Sequence, residues 1–106
     1  MNKQGKRTPE ALALRRDAGI LLKTLRKNAG LTQRDVALSL DMRYYTMVAQ
    51  MEAGTSRIPP DSYVTYADCL GVDRKKFVQK LMQYYDPHTY RALWGGTRLT
   101  ISELMK

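Results

Sequence analysis

The chain has one cysteine, one histidine and no long apolar run, and each scarcity excludes a class of protein. Cys69 alone cannot close an internal disulfide, so the sequence suits a reducing compartment and we expect a cytoplasmic protein. No stretch approaches the roughly 20 apolar residues that span a bilayer, and no signal-peptide core follows the N-terminus. We therefore expect neither a membrane-spanning segment nor secretion.

Catalytic and metal-binding patterns are also missing. The single histidine, His88, follows a proline and has no cysteine or acidic cluster at metal-ligand spacing. No phosphate-binding glycine loop, pair of catalytic carboxylates or nucleophile–base set can be assembled. The sequence therefore predicts a protein that is not an enzyme and that uses no cofactor. Cys69 is better explained as a small buried hydrophobe than as a reactive thiol.

Basic residues outnumber acidic ones, and this imbalance points to an anionic partner. Eighteen lysines and arginines against ten acidic residues give a formal net charge of +8 at pH 7. Such a charge favours binding to nucleic acid or to a membrane surface. No helix pattern combines a strongly basic face with Trp or Phe opposite, so we expect no membrane contact. The length of 106 residues fits one domain with a modest core.

The centre of the chain reads as two short helices joined by a tight turn. Thr32 is a good N-cap, and Asp35 stands three residues later as the acid of a capping box. These signals predict a helix from Thr32 to about Leu40. Asp41 marks the turn, and the pattern then predicts a second helix from about Arg43 to Glu52.

The second helix has two different sides. One side is apolar at helical spacing and is expected to face the core: Tyr44, Met47, Val48 and Met51. The other side has no acidic residue and no long aliphatic one: Tyr45, Thr46, Ala49 and Gln50. That side suits a DNA major groove, which admits one helix and where amides and hydroxyls read base edges.

Several spaced residues carry a family pattern: Arg26, Gly30-Leu31-Thr32-Gln33, Ala37 and Glu52-Ala53-Gly54. Together they resemble the phage-repressor and Cro-like (XRE-type) helix-turn-helix family over roughly residues 18–82. The resemblance implies an all-α, five-helix lambda-repressor-like helix-turn-helix domain. Two positions depart from the family pattern. Asp41 replaces the usual turn glycine, and the spacing from Thr32 to Glu52 is one residue longer, which leaves two registers for the turn.

The resemblance also implies roles for particular residues. The second helix would enter the major groove, and the first would lie over the DNA backbone. Eight residues are expected to contact DNA by reading bases, lying close to them or binding phosphates. They are Gln33, Arg34, Arg43, Tyr45, Thr46, Ala49, Gln50 and Arg57. For Arg57 simple solvent exposure is the alternative. The resemblance further implies a buried ion pair between Arg26 and Glu52. The alternative for Glu52 is an exposed capping role.

The remaining chain divides into an arm, further helices and an extension. Residues 1–8 are expected to be a flexible basic arm, which either solubilises the chain or lies along DNA. Residues 9–86 form the helix-turn-helix domain, whose first helix is either unbroken or interrupted near residues 17–19. Residues 87–106 form a C-terminal extension, with one or two helical turns and a short strand at 97–101. It either packs on its own domain or forms a dimer contact.

Two functions follow as expectations. The first is a homodimeric, sequence-specific regulator of double-stranded DNA, acting as a repressor at a palindromic operator. Its mechanism would be steric, because no second domain is present to sense a ligand. The alternative is an antitoxin or anti-activator that binds a partner protein through its C-terminal segment.

Overall fold

A computed structural model describes residues 8–105, which form seven α-helices and no strand. The helices are α1 (Pro9–Asn28), α2 (Gln33–Ser39), α3 (Thr46–Ala53), α4 (Tyr63–Leu70), α5 (Arg74–Tyr85), α6 (Pro87–Trp94) and α7 (Ile101–Leu104). A 3₁₀ turn, Pro60–Ser62, leads into α4. The expected all-α class is confirmed. The expected basic arm falls on residues 1–7, outside the described residues, and Thr8 belongs to the start of α1.

Helix α1 is unbroken, which decides between the two alternatives for this segment. The Thr8 hydroxyl accepts a hydrogen bond from the backbone N–H of Ala11 at 3.1 Å, and Pro9 occupies the first helical position. Gly19 lies in the middle of α1 at its crossing with α3. A Cβ atom there would overlap the carbonyl oxygen of Glu52. Glycine therefore permits the two backbones to approach this closely.

The core is formed by all of the larger helices. Helix α1 packs against α3 and α5, α2 packs against α3 and α4, and α4 packs against α5. The largest fully buried side chains include Leu22, Leu25, Val36, Val48, Ile58, Tyr66, Phe77 and Leu81. Cys69 is half-buried and packs against this core. Within residues 8–105, none of the helices has the length and apolar character to cross a membrane.

Helix α3 begins later than the sequence predicted. It starts at Thr46 instead of Arg43, because Asp41 has a φ of 54° and the chain turns through residues 42–45. Aspartate tolerates this left-handed conformation better than most non-glycine residues. Two residues expected in the core are exposed instead, Tyr44 at 60% and Met47 at 41%. The buried residues of α3 are Val48, Met51 and Glu52.

The predicted strand at 97–101 is wrong. Thr100 begins helix α7 instead, and its hydroxyl and the Glu103 carboxylate form a capping box. The Thr-x-x-Glu spacing is the signal for this helix, and the alternation of residues 97–101 obscured it. Leu104 is fully buried, and its carbonyl accepts a hydrogen bond from the Asp73 N–H at 2.8 Å. The extension thus packs on its own helical body.

Candidate nucleic-acid interface

A buried ion pair joins three helices behind the outer face of α3. Arg26 in α1 donates from Nε to Oε2 of Glu52 at 2.7 Å and from Nη2 to Oε1 at 3.1 Å. The Arg26 and Glu52 side chains are only 10% and 4% exposed. Arg26 also donates to the carbonyl of Leu31 at 2.8 Å, and Gln33 in α2 donates to Oε1 of Glu52 at 3.1 Å. This network fixes α2 and α3 on α1.

The network also determines the charge that α3 presents outward. Hydrogen bonding to Glu52, aided by its negative charge, raises the pKa of Arg26, so the guanidinium stays protonated. The Glu52 carboxylate is turned inward and is neutralised there. Because Glu52 is the only acidic residue of α3, the outward side of this helix carries no uncompensated negative charge.

The start of α2 is fixed by local hydrogen bonds. The Thr32 hydroxyl accepts from the Asp35 N–H at 3.1 Å, and the Asp35 carboxylate accepts from the Thr32 N–H at 2.8 Å. These bonds from Thr32 lower the pKa of Asp35. Gln33 is half-buried because it braces Glu52, whereas Arg34 is exposed with its guanidinium 4.9 Å from the centre of the Tyr45 ring.

We expect Thr32→Ala to lower the free energy of unfolding by about 1 kcal/mol, because it leaves a backbone N–H at the start of α2 without its capping oxygen. Thr32→Ser keeps a hydroxyl at the same position and is the matched control. Denaturant unfolding of the three proteins measures the difference. Equal stability of the alanine and serine variants would contradict a capping role for this hydroxyl.

The outer side of α3 presents the residues predicted to read bases. Thr46 is the first residue of the helix, and Gln50 lies one turn further on the same side. Both are exposed, and the Gln50 side chain makes no hydrogen bond within residues 8–105. Ala49 is half-buried beside them, and Tyr45 precedes the helix with 44% of its surface exposed. These four residues remain together as the sequence grouped them.

Arginine and tyrosine side chains surround the entry to α3. Arg43 lies in the turn, and its guanidinium is 6.0 Å from the centre of the exposed Tyr44 ring. A shallow cleft of about 340 Å³ separates α2 from this turn. Its lining includes Arg34, Leu38, Arg43, Tyr44 and Tyr45. This pairing of cations with aromatic rings was not predicted from the sequence, although the run Arg43-Tyr44-Tyr45 is a signal for it.

Arg57 lies beyond the other end of α3 in a well-anchored loop. Its neighbour Ile58 is fully buried and donates its backbone N–H to the Tyr85 hydroxyl at 3.2 Å. The Arg57 guanidinium lies 4.6 Å from the centre of the Tyr85 ring and is exposed to solvent. The loop therefore holds this charge in place without pairing it to a carboxylate among the described residues.

Comparison of the chain with protein-family models, with curated proteins and with solved structures found no match.

Proposed function

We propose that the chain is a sequence-specific regulator of double-stranded DNA, with a lambda-repressor-like helix-turn-helix formed by α2, the turn and α3. In this proposal α3 is the recognition helix, and a dimer represses transcription sterically at a palindromic operator. One observation carries the proposal. The exposed side of α3 presents Thr46 and Gln50 without an acidic side chain, while Glu52 is buried against Arg26.

The chemistry of this surface fits duplex DNA. The major groove admits an α-helix, a glutamine can bond adenine through two hydrogen bonds, and a threonine can contact a base or a thymine methyl group. Arg34, Arg43 and Arg57 are exposed and would contact phosphates on either side of α3. The net charge of +8 adds general attraction to the duplex.

We expect Arg34→Ala and Arg57→Ala to weaken binding to preferred and random duplexes alike. Each variant should make the plot of log affinity against log salt concentration less steep. The slope should change by roughly one unit for every phosphate that the missing arginine would have neutralised in each half-site. Fluorescence anisotropy over a salt series measures both quantities. Lys23→Ala, which removes an exposed charge from α1, is the control and should leave the slope unchanged. Unchanged slopes in both arginine variants would contradict the assignment.

Dimerisation belongs to the proposal because one helix-turn-helix contacts too little DNA for high affinity. An apolar groove between α4, α5 and α6 supports a contact there, lined by Val64, Val78 and Trp94 with Arg74 and Lys75 at its side. Nearby Leu93 is 65% exposed on α6. Exposed apolar groups grouped in this way are typical of interaction surfaces.

We expect light scattering to give twice the monomer mass for the chain, and the monomer mass for Val64→Glu. A carboxylate introduced in the groove would lose its hydration when the dimer forms, which weakens the association. Leu38→Glu, on an exposed α2 residue that does not line the groove, is the control and should remain dimeric. A monomer mass for the unmodified chain, both free and on DNA, would contradict the dimer.

The exposed Leu93 also favours the second candidate, an antitoxin or anti-activator whose C-terminal segment binds a partner protein. In that case a stoichiometric protein should co-purify with the chain. Leu93→Glu should abolish its binding while DNA binding is retained.

A further inference from the structure

A polar cavity lies away from the proposed DNA surface. It occupies about 320 Å³ between α5, α6 and the segment after α6. Its lining is Leu14, Gln83, Pro87, Tyr90, Arg91, Gly95, Gly96 and Arg98, and it includes no carboxylate. None of these residues belongs to α2, α3 or the turn between them. A function of the cavity is therefore independent of the proposed function.

One side chain of the lining, Gln83, has a donor group that the described residues leave unused. Its Oε1 accepts from Nζ of Lys80 at 3.3 Å. The Gln83 amide nitrogen makes no protein hydrogen bond within residues 8–105 and is accessible to solvent. The Tyr90 hydroxyl also lacks a partner among the described residues, but it is buried behind the lining and does not face the cavity. The Gln83 amide is therefore the uncharged side-chain donor that the cavity offers.

Positive charge lies beside this amide. Arg91 and Arg98 line the cavity, and neither forms an ion pair within residues 8–105. Burial and the nearby charge of Arg98 lower the pKa of Lys80, and Glu103 opposes this effect. The Glu103 carboxylate is engaged by Thr100 in the capping box of α7. Asp86, which precedes Pro87 of the lining, accepts from the backbone N–H and the hydroxyl of Thr89, and Asp17 lines a neighbouring cleft.

We propose that this cavity binds a small anion that carries a carboxylate or phosphate group. Arginine guanidinium groups match both anions with paired N–H donors, and the Gln83 amide can complete the set. The volume lies at the lower end of the roughly 300–1,000 Å³ that small-molecule sites occupy. It therefore suits an anion of a few heavy atoms.

The chain contains its own reporter for this site. Trp94 is the only tryptophan, and its ring centre lies 5.5 Å from that of Tyr90. We expect Trp94 fluorescence to change saturably on titration with inorganic phosphate or with succinate, each at constant ionic strength set with sodium chloride. The two titrations distinguish the head groups, since the tighter anion identifies the preferred one.

Two variants locate the response. Arg98→Gln should weaken binding of the preferred anion about tenfold or more, because it removes a charge-assisted hydrogen bond. Arg91→Gln should weaken binding by a similar factor for the same reason, and because Arg91 is exposed on α6 the variant should leave the melting temperature of the free protein nearly unchanged. Lys23→Gln, on an exposed α1 residue outside the lining, is the control and should bind normally.

Either of two results would overturn the proposal. One is a fluorescence response to both anions that equals the response to sodium chloride alone. The other is a saturable response of equal affinity in Arg91→Gln and in the unmodified protein, because the anion would then bind elsewhere. Arg91→Gln serves here even if Arg98→Gln does not fold, since the Arg91 side chain is exposed and forms no ion pair within residues 8–105.

Discussion

Arg26→Ala is expected to lower the free energy of unfolding by about 3–5 kcal/mol, the cost of leaving one partner of a buried ion pair alone. Glu52, whose side chain is only 4% exposed, would lose both hydrogen bonds from the guanidinium. Within residues 8–105, Gln33 would remain as its only side-chain donor, with one bond to Oε1. The Leu31 carbonyl would also lose its donor, which loosens the entry to α2.

The chain provides a matched control for this loss. Arg74 and Asp68 form an equally short bidentate pair, at 2.8 and 2.7 Å, but their side chains are 60% and 40% exposed. Solvent screens that pair, so Arg74→Ala should cost far less stability than Arg26→Ala. Parallel denaturant unfolding of the two alanine variants measures the effect of burial at nearly constant geometry. Equal losses, or a loss below about 1 kcal/mol for Arg26→Ala, would show that the pair is not effectively buried.

Gln50→Ala is expected to weaken binding to the preferred duplex by about 1–3 kcal/mol and to change binding to random duplex little. The reason is that a glutamine amide contributes only where a matching base edge is present. Gln50 is exposed on the outer side of α3, and its amide is free of hydrogen bonds within residues 8–105. Anisotropy titrations with both duplexes, at one fixed salt concentration, give the two affinities.

Arg34→Ala is the comparison for Gln50→Ala, because it should weaken both duplexes by similar factors. The ratio of the two affinities, rather than either one alone, therefore separates a base reader from a phosphate ligand. If Gln50→Ala weakened preferred and random DNA equally, α3 would not read bases through this side chain. If it weakened neither, α3 would not lie in the groove in the proposed orientation.

The parts of the fold that the sequence predicted well are those determined locally. Thr32 and Asp35 specify the start of α2 through their own hydrogen bonds. Helix bounds that follow such caps can be read without tertiary information. The start of α3 could not, because it depends on the left-handed conformation of Asp41, and Tyr45 offers no side-chain cap.

The candidate site required both local and tertiary information. Helical spacing alone placed Thr46 and Gln50 on one side of a helix, and the structure has both exposed in α3. The pairing of Arg26 with Glu52, 26 residues apart, came from the family resemblance, since spacing does not specify so distant a partner. The stacking of Arg57 on Tyr85 arises only when the loop after α3 meets α5, so no local pattern predicts it.

Nuclease protection distinguishes sequence-specific binding from general attraction to DNA. Duplexes selected by the purified chain from a random library, together with the DNA upstream of its own gene, would be digested with and without the protein. We expect a protected palindrome whose half-sites are about 34 Å apart, one turn of DNA. We also expect Gln50→Ala to lose this protection at concentrations where the unmodified chain retains it. Uniform digestion of every duplex at saturating protein, or protection without sequence preference, would contradict a sequence-specific regulator.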